Sequence, residues 1–445
     1  MRRTLRAALA AAALTLTIGA LRSSPAAADP EPDPSAMLTD PTTLAAWLRT
    51  HDAAVASAGA RVEVAVAARH QAGVLPNPGL GLSYGNVVLG SGNPMSGSTG
   101  LGNTTAISAG VTETIELGKR GPRQQAADMR VDAAREDVVV ALGTRIGDAI
   151  TAIGKVAYLV ARHDTLVQNL DAQKKILALE KIRFDHKDLS GDDYARLELE
   201  TERLELDVAR ADADLRQAMV GCEATLRAPC AVDGSAEVAL DKGAPLPASL
   251  GDVEVEVAAR ASFASSRDQQ AAFGYDATLA HHRSIPDPTV GVVFTHDNYT
   301  VAGAEPNSLL FSLSIPLPIF DRGDHDAAAA QAQAHALAAQ EQADRRLARG
   351  QIDALVAQKQ YLETEIERLS SSSIPRSATI LADTHKAFDL GQDDLADLIL
   401  AERAHRELLL ALLDARYDLF TARSGLRQAL GLDDAVARAA GGSTP

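Results

Sequence analysis

Cysteine is almost missing from this chain, with only Cys222 and Cys230 among 445 residues. Two cysteines without nearby histidines make a poor zinc site, which leaves a local disulfide or two free thiols. Aromatic residues make up 4%, low for a conventional globular core and suited to long alanine-rich helices packed closely. The five methionines do not cluster, so the soft-ligand signature of copper transport is absent. Of eleven histidines only His281 and His282 are adjacent, and neighbours on a helix do not share a face, so they chelate poorly. Neither H-E-x-x-H nor G-x-S-x-G occurs. Gly118-Lys119 fails as a phosphate loop, because Glu113 and Arg120 stand where glycine and Ser/Thr are needed. No nucleophile or metal constellation supports an enzyme, and no cofactor is expected. Beyond the first residues, no stretch approaches the ~20 apolar residues of a membrane helix.

Those first residues do carry a pattern. Arg2, Arg3 and Arg6 precede an apolar run from Ala7 to Leu21, and Ala26-Ala27-Ala28 follows. Charge, apolar core and small-residue site in that order predict a cleaved secretory signal peptide over 1–28, with an ordinary N-terminal helix as the alternative. No cysteine follows the site, so no N-terminal lipid anchor is expected. Export implies an oxidising compartment, which favours a bond between Cys222 and Cys230. The formal net charge is −16, and removing four arginines with the signal makes it more negative still. Such a surface repels phosphates, so no nucleic-acid partner is expected.

The mature chain then repeats itself. After a linker over 29–41, the first repeat spans 42–220 and the second 251–432, with a Pro/Gly-rich connection over 221–250 and a tail over 433–445. The first repeat opens with a helical pattern from Thr42 to Gly73, carrying Leu44, Trp47, Leu48, Val55, Val62 and Val66 near the helical period. Helix gives way at Pro76-Asn77-Pro78 and again at Pro286-Asp287-Pro288, where proline removes a donor and disfavours helix in its predecessor. Alternating segments follow. Leu80, Leu82 and Tyr84 alternate with glycine and serine; Ile107, Ala109, Val111 and Ile115 alternate with Ser108, Gly110, Thr112 and Thr114. In the second repeat Val290, Val292 and Phe294 pair with Leu309, Phe311, Leu313 and Ile315. β-Hairpins are therefore predicted over 79–115 and 289–317. Period two with apolar residues on one side fits strands between lipid and water, and equally a half-buried soluble sheet.

Each hairpin leads into a long helical run, Arg123 to Phe184 and Asp324 to Phe388, the second softened at Ser370 to Pro375. Both exceed the usual 8–20 residues of a globular helix and predict a coiled-coil-like assembly. Polar turns near 185–193 and 389–397 reverse each run. Four strands cannot close a barrel, and an open sheet edge is not tolerated in hydrocarbon. If the strands lie in a membrane, several protomers must share one barrel.

This order, duplicated, resembles the TolC family of outer-membrane efflux proteins over roughly Thr42 to Leu432. Its sharpest piece, Glu113-Thr114-Ile115-Glu116-Leu117-Gly118-Lys119-Arg120, looks like the strand-to-helix junction of the heavy-metal (CzcC-like) branch. Ile315-Pro316-Leu317-Pro318-Ile319-Phe320-Asp321-Arg322-Gly323 is the second-repeat counterpart. The resemblance implies a mainly α protein with a small membrane β part. It further implies a homotrimer with a 12-stranded barrel over a periplasmic helical tunnel, docked on a periplasmic adaptor and an inner-membrane pump of RND type. It also implies outer-membrane lipid around the strands and junctions at Pro76, Pro78, Gly118, Lys119, Arg120, Pro286, Pro288, Pro316 and Pro318. Adaptor contact falls to Lys187, Leu189, Ser190, Gly191, Leu390, Gly391 and Gln392. Gly391 matches the usual tip glycine; in the first repeat Lys187 takes that place. Asp188, Asp192, Asp193, Asp393, Asp394 and Asp397 would form rings of carboxylates that select cations, or simply begin the returning helices as caps. The expected function is a passive exit duct, with heavy-metal cations as the leading cargo. A duct for drugs or secreted polypeptides, or a soluble periplasmic scaffold, stands as the alternative.

Overall fold

The computed structural model describes residues 33–85, 106–232, 236–247, 251–298 and 305–441. The signal-peptide segment, the loop inside the first hairpin and the last four residues of the tail lie outside the described residues.

Helix α1 (Pro34–Thr39) falls in the segment 29–41 that the sequence predicts as a linker, and the first helical pattern divides into two pieces, α2 (Pro41–His51) and α3 (Ala53–Ala72). The sequence predicts one helix from Thr42 to Gly73; the chain instead breaks at Asp52, which is extended and caps α3. Its carboxylate accepts hydrogen bonds from the amides of Ala54 at 2.7 Å and Val55 at 3.2 Å. Aspartate competes for backbone donors in this way, so it favours a cap over a helix interior.

Four strands follow the alternation: β1 (Gly79–Gly85), β2 (Ala106–Thr114), β3 (Thr289–Asp297) and β4 (Asn307–Ser314). They form one antiparallel sheet in the order β1-β2-β3-β4. The central pairing of β2 with β3 joins the two repeats, with Val111 opposite Val292 and Ala109 opposite Phe294. Strands β1 and β4 are left as open edges.

Beneath the sheet stands a helical body. Helix α4 (Arg120–Asp185) runs unbroken for 66 residues, roughly 100 Å at the α-helical rise. It returns as α5 (Gly191–Leu226), the inter-repeat segment adds α6 (Ala236–Lys242), and the second repeat opens with α7 (Val253–Ala258). The second repeat supplies α8 (Ala261–His281), α9 (Asp324–Arg368), α10 (Ile374–Asp389) and α11 (Leu395–Ala429), and the chain ends in α12 (Leu432–Gly441). Three differences from the sequence reading are physical. Helix α5 continues to Leu226, so the connection is shorter than 221–250 and contains a helix of its own. The 433–445 segment carries α12, which packs on α2 and α4. The serine run does not break the helix: Leu369–Ser373 forms a π turn between α9 and α10. The wider turn accommodates the missing donor of Pro375, while the hydroxyls of Ser370 and Ser371 donate to the carbonyls of Ile366 and Glu367 at 2.7 and 2.6 Å.

The largest core lies part way along α4, where Ile146, Ile150 and Ile153 meet Leu38, Leu44, Leu48, Leu226, Leu240 and Phe420. Helix α4 packs against α3, α5, α8 and α11, and α9 against α8 and α11, so α3 and α9 occupy opposite margins of this layer. Cys222 and Cys230 are joined by a disulfide inside this core, with Cα atoms 5.9 Å apart. It ties the end of α5 to the connection, where Trp47 Nε1 also donates to the Leu226 carbonyl at 2.8 Å. Closing so short a loop should stabilise by ~2–3 kcal/mol. Peptide mapping without reductant should recover Cys222 linked to Cys230; two free thiols would contradict this.

Candidate functional site

Two surfaces at opposite ends of the molecule are built for contact. The first is the sheet. Side chains alternate across a strand, so register decides what shares a face. One face stacks Leu80, Val111, Val292 and Phe311 in a row, then Leu82, Ala109, Phe294 and Leu309 in the next. Leu82 and Phe311 remain 75% and 73% exposed. The opposite face carries Ser83, Ser108, Thr295 and Ser308 across one row, with Ser108 and Thr295 hydroxyls 2.8 Å apart. This apolar patch, unpartnered and bounded on the same face by Glu113 at one end and by His296 and Asn307 at the other, marks a surface that meets lipid or protein.

The junctions below the strands are pinned by charge. Asp287, between Pro286 and Pro288, accepts from the Leu117 amide at 2.9 Å and from Lys119 Nζ at 2.6 Å. Glu116 pairs with Arg123, whose guanidinium also donates to the Ala72 carbonyl at 2.8 Å. Lys119 thus joins the two repeats and Glu116 is paired within the first, while Arg120 is exposed at the start of α4. Gly118 has φ +71° and Gly323 φ +79°, each at a strand-to-helix turn. A Cβ on Gly323 would lie 1.9 Å from the Ala280 carbonyl oxygen, so only glycine fits there. Pro76 and Pro78 precede β1, and Pro316 and Pro318 follow β4.

The second surface is the pair of helix tips, which pack side by side. Leu197, Phe388, Leu395 and Leu398 form a small core joined by Leu189, and the Arg183 guanidinium lies 5.1 Å from the Phe388 ring centre. Both α4 and α10 end in the same way. The amides of Lys187 and Asp188 donate to the carbonyls of Phe184 and Arg183 at 2.9 and 2.8 Å; those of Gly391 and Gln392 donate to Phe388 and Ala387 at 3.0 and 2.9 Å. This is a Schellman pair in each repeat, and it requires a left-handed residue. Gly391 has φ +68° and Lys187 φ +69°, so lysine adopts the glycine conformation and the two tips share one shape.

The tip acids divide by role. Asp394 caps α11 by accepting from the Asp397 amide at 2.9 Å, and Ser190 caps α5 from the Asp193 amide at 3.1 Å. Asp193 accepts from the Ser190 hydroxyl at 2.7 Å and lies 3.5 Å from Arg196. Asp188, Asp192, Asp393 and Asp397 are exposed, as are Lys187, Gly191, Leu390, Gly391 and Gln392. Among the described residues, no group of histidine, cysteine or carboxylate side chains is placed to hold a metal ion.

Sequence reasoning missed the polar bridge just above the tips. Glu200 of α5, with 2% of its side chain exposed, accepts from Arg403 and Arg406 of α11, the latter at 2.8 Å. Burial raises the Glu200 pKa, but the two guanidinium groups outweigh it and hold the carboxyl below its ordinary range. The bridge is therefore complete above that range and is lost as pH falls through the lowered value. The signal was present: Glu200 stands between Leu197 and Leu204 on the apolar stripe of α5, where a lone acid needs a partner. Neighbouring Glu402 moves the other way, pushed up by burial despite His385 at 3.3 Å.

A β-carbon in the left-handed region costs roughly 1–2 kcal/mol. Gly391→Ala should therefore weaken the second tip by ~1 kcal/mol or more, and Lys187→Gly should stabilise the first by up to ~1 kcal/mol. Hydrogen exchange of the tip amides measures both; equal protection in all three proteins would contradict the shared geometry.

Residues 255–432 match the family described as outer membrane efflux protein. No curated protein sequence matches the chain. Solved structures do. The outer membrane protein VceC of Vibrio cholerae is 18% identical, over 88% of this chain and 96% of its own, with a TM-score of 0.69. CusC, described for conformational changes in folding and transmembrane channel formation, is 16% identical over 87% and 91%, with a TM-score of 0.72. The CmeC outer membrane channel of Campylobacter jejuni is 14% identical over 96% and 94%, with a TM-score of 0.70. The chain has the fold of these outer-membrane channel structures, mainly helical with a small antiparallel sheet, and its second repeat carries the outer membrane efflux protein match.

Proposed function

We propose that this protein is the outer-membrane exit duct of a tripartite efflux system, acting as a homotrimer without chemistry on its cargo. The observation that carries the reading is the sheet: four strands, open at both edges, with one face apolar through its middle rows and one hydroxyl-rich face. Along β4 the apolar series from Leu309 to Ile315 spans about 20 Å of strand, and about 15 Å along the membrane normal at the usual barrel tilt. Glu113 on β2, and His296 and Asn307 on β3 and β4, share this face near its two ends and bound the apolar band. Three copies supply twelve strands and leave no edge, with serine and threonine facing the water-filled lumen. A soluble scaffold has no use for an exposed face of this kind.

The helical body then extends into the periplasm, and its tips meet an adaptor bound to an inner-membrane pump of RND type. Lys187, Leu390, Gly391 and Gln392 offer exposed contacts, whereas Leu189 and Ser190 support the turn itself. For cargo, heavy-metal cations rest on the tip carboxylates, since Glu116 and Lys119 of the branch-like junction are engaged in internal ion pairs. Three copies of Asp393, Asp394 and Asp397 bring negative charge together at the mouth, and a ring of carboxylates favours cations. Drugs or secreted polypeptides would pass the same neutral barrel face, and fold alone does not choose among them.

Asparagine caps a helix about as well as aspartate, so Asp393→Asn with Asp394→Asn removes charge and keeps the α11 cap. In single-channel recordings the double variant should lose cation preference while assembling as a detergent-stable trimer. Wild-type selectivity in that variant would leave capping as the sole role of Asp394. A monodisperse, detergent-free monomer of the natural protein would refute the duct itself.

A further inference from the structure

Phe320 is fully exposed, 100% of what a free residue shows, yet its turn is not loose. The Ile319 amide donates to the Leu317 carbonyl at 2.9 Å, and the Gly323 amide to Asp321 Oδ1 at 2.9 Å. Gly323 itself is packed tightly on Ala280. Leu317 and Ile319 beside it are exposed too. An aromatic ring of this kind withholds 150–250 Å² of apolar area from any contact, so a rigid turn presenting it points to a partner.

At the opposite margin lies a matching recess. Between α3 and α4, a groove of about 730 Å³ is walled by Val64, Ala65, Ala68, Ala72, Val74 and Leu75. Its rim carries three arginines. Arg123 pairs with Glu116 and Arg130 with Asp276, while Arg61 has no ion-pair partner among the described residues. The topology fixes the relation between knob and groove. Helix α3 leads into edge strand β1, and edge strand β4 leads through the Phe320 turn into α9. Both features lie at the helix-side end of the strands, on opposite edges of one protomer. A head-to-tail ring that pairs β4 of one copy with β1 of the next brings them together.

We infer that Phe320 of each protomer seats in the α3–α4 groove of its neighbour, forming a latch just below the barrel; this rests on the trimeric reading above. Charge agrees with the fit. Asp321, adjacent to the ring and 77% exposed on its side chain, has Arg283 at 4.0 Å as its only ion-pair partner among the described residues, and would face the arginine rim of the next copy. The latch places apolar burial where the strands end, so a joint held by edge hydrogen bonds is also held by side-chain packing.

The test is photo-crosslinking from Phe320→p-benzoylphenylalanine in the full-length protein in outer membranes, with particle mass measured after extraction. The latch predicts a trimer-sized particle and a protein–protein adduct mapping to 61–77 of a second copy, lost when Leu75→Arg blocks the groove. A trimer whose adduct is on phospholipid, or on another part of the chain, overturns the latch and leaves the trimer standing. A trimer with no adduct overturns it as well. A monomeric particle removes the trimeric reading and the latch with it, which is a different result from either.

Discussion

A backbone amide or carbonyl left unpaired in hydrocarbon costs several kcal/mol, and in the proposed duct this constraint governs the rest of the structure. Strands β1 and β4 each present a row of such groups, while the apolar face of the sheet is exposed and unpartnered. In the proposed duct the edges pair with other copies of the same chain. Closure in turn demands that the helices beneath splay and pack compatibly, which explains margins at α3 and α9 that are unfilled within one protomer. The charged pins at the junction, Asp287 with Lys119 and Glu116 with Arg123, hold sheet and helices in one orientation.

Duplication simplifies the folding problem. Each repeat needs one left-handed residue to turn from strand into helix and another to reverse the helix at the tip. Gly118 and Gly323 serve the first need, Lys187 and Gly391 the second. At Lys187 the Schellman hydrogen bonds outweigh the cost of a β-carbon, so the turn survives loss of its glycine.

Much of this was legible in the residues. Period-two alternation located all four strands, because a sheet with one apolar and one polar face leaves a clean pattern, and proline marked their helix-side ends. Helix continuity was less legible. Asp52 ended a helix that apolar periodicity carried through, and the serine run before Pro375, read as a softening of one helical run, made a π turn. Both outcomes depend on local hydrogen bonds from side chains, which hydrophobic spacing does not register. At the tips, spacing alone did not separate the capping acid Asp394 from exposed Asp393. The Glu200 bridge to Arg403 and Arg406 was missed because its partners are about 200 positions away in sequence.

The central claim is that the apolar face of the sheet lies in lipid and the hydroxyl face in water. Spin labels placed singly from Ser308 to Ser314 along β4, in protein reconstituted into bilayers, test it through their accessibility to oxygen and to a water-soluble relaxant. The account predicts a period of two, with oxygen favoured at Leu309, Phe311 and Leu313 and the aqueous agent at Ser308, Ser312 and Ser314. Uniform aqueous accessibility along the strand would contradict it.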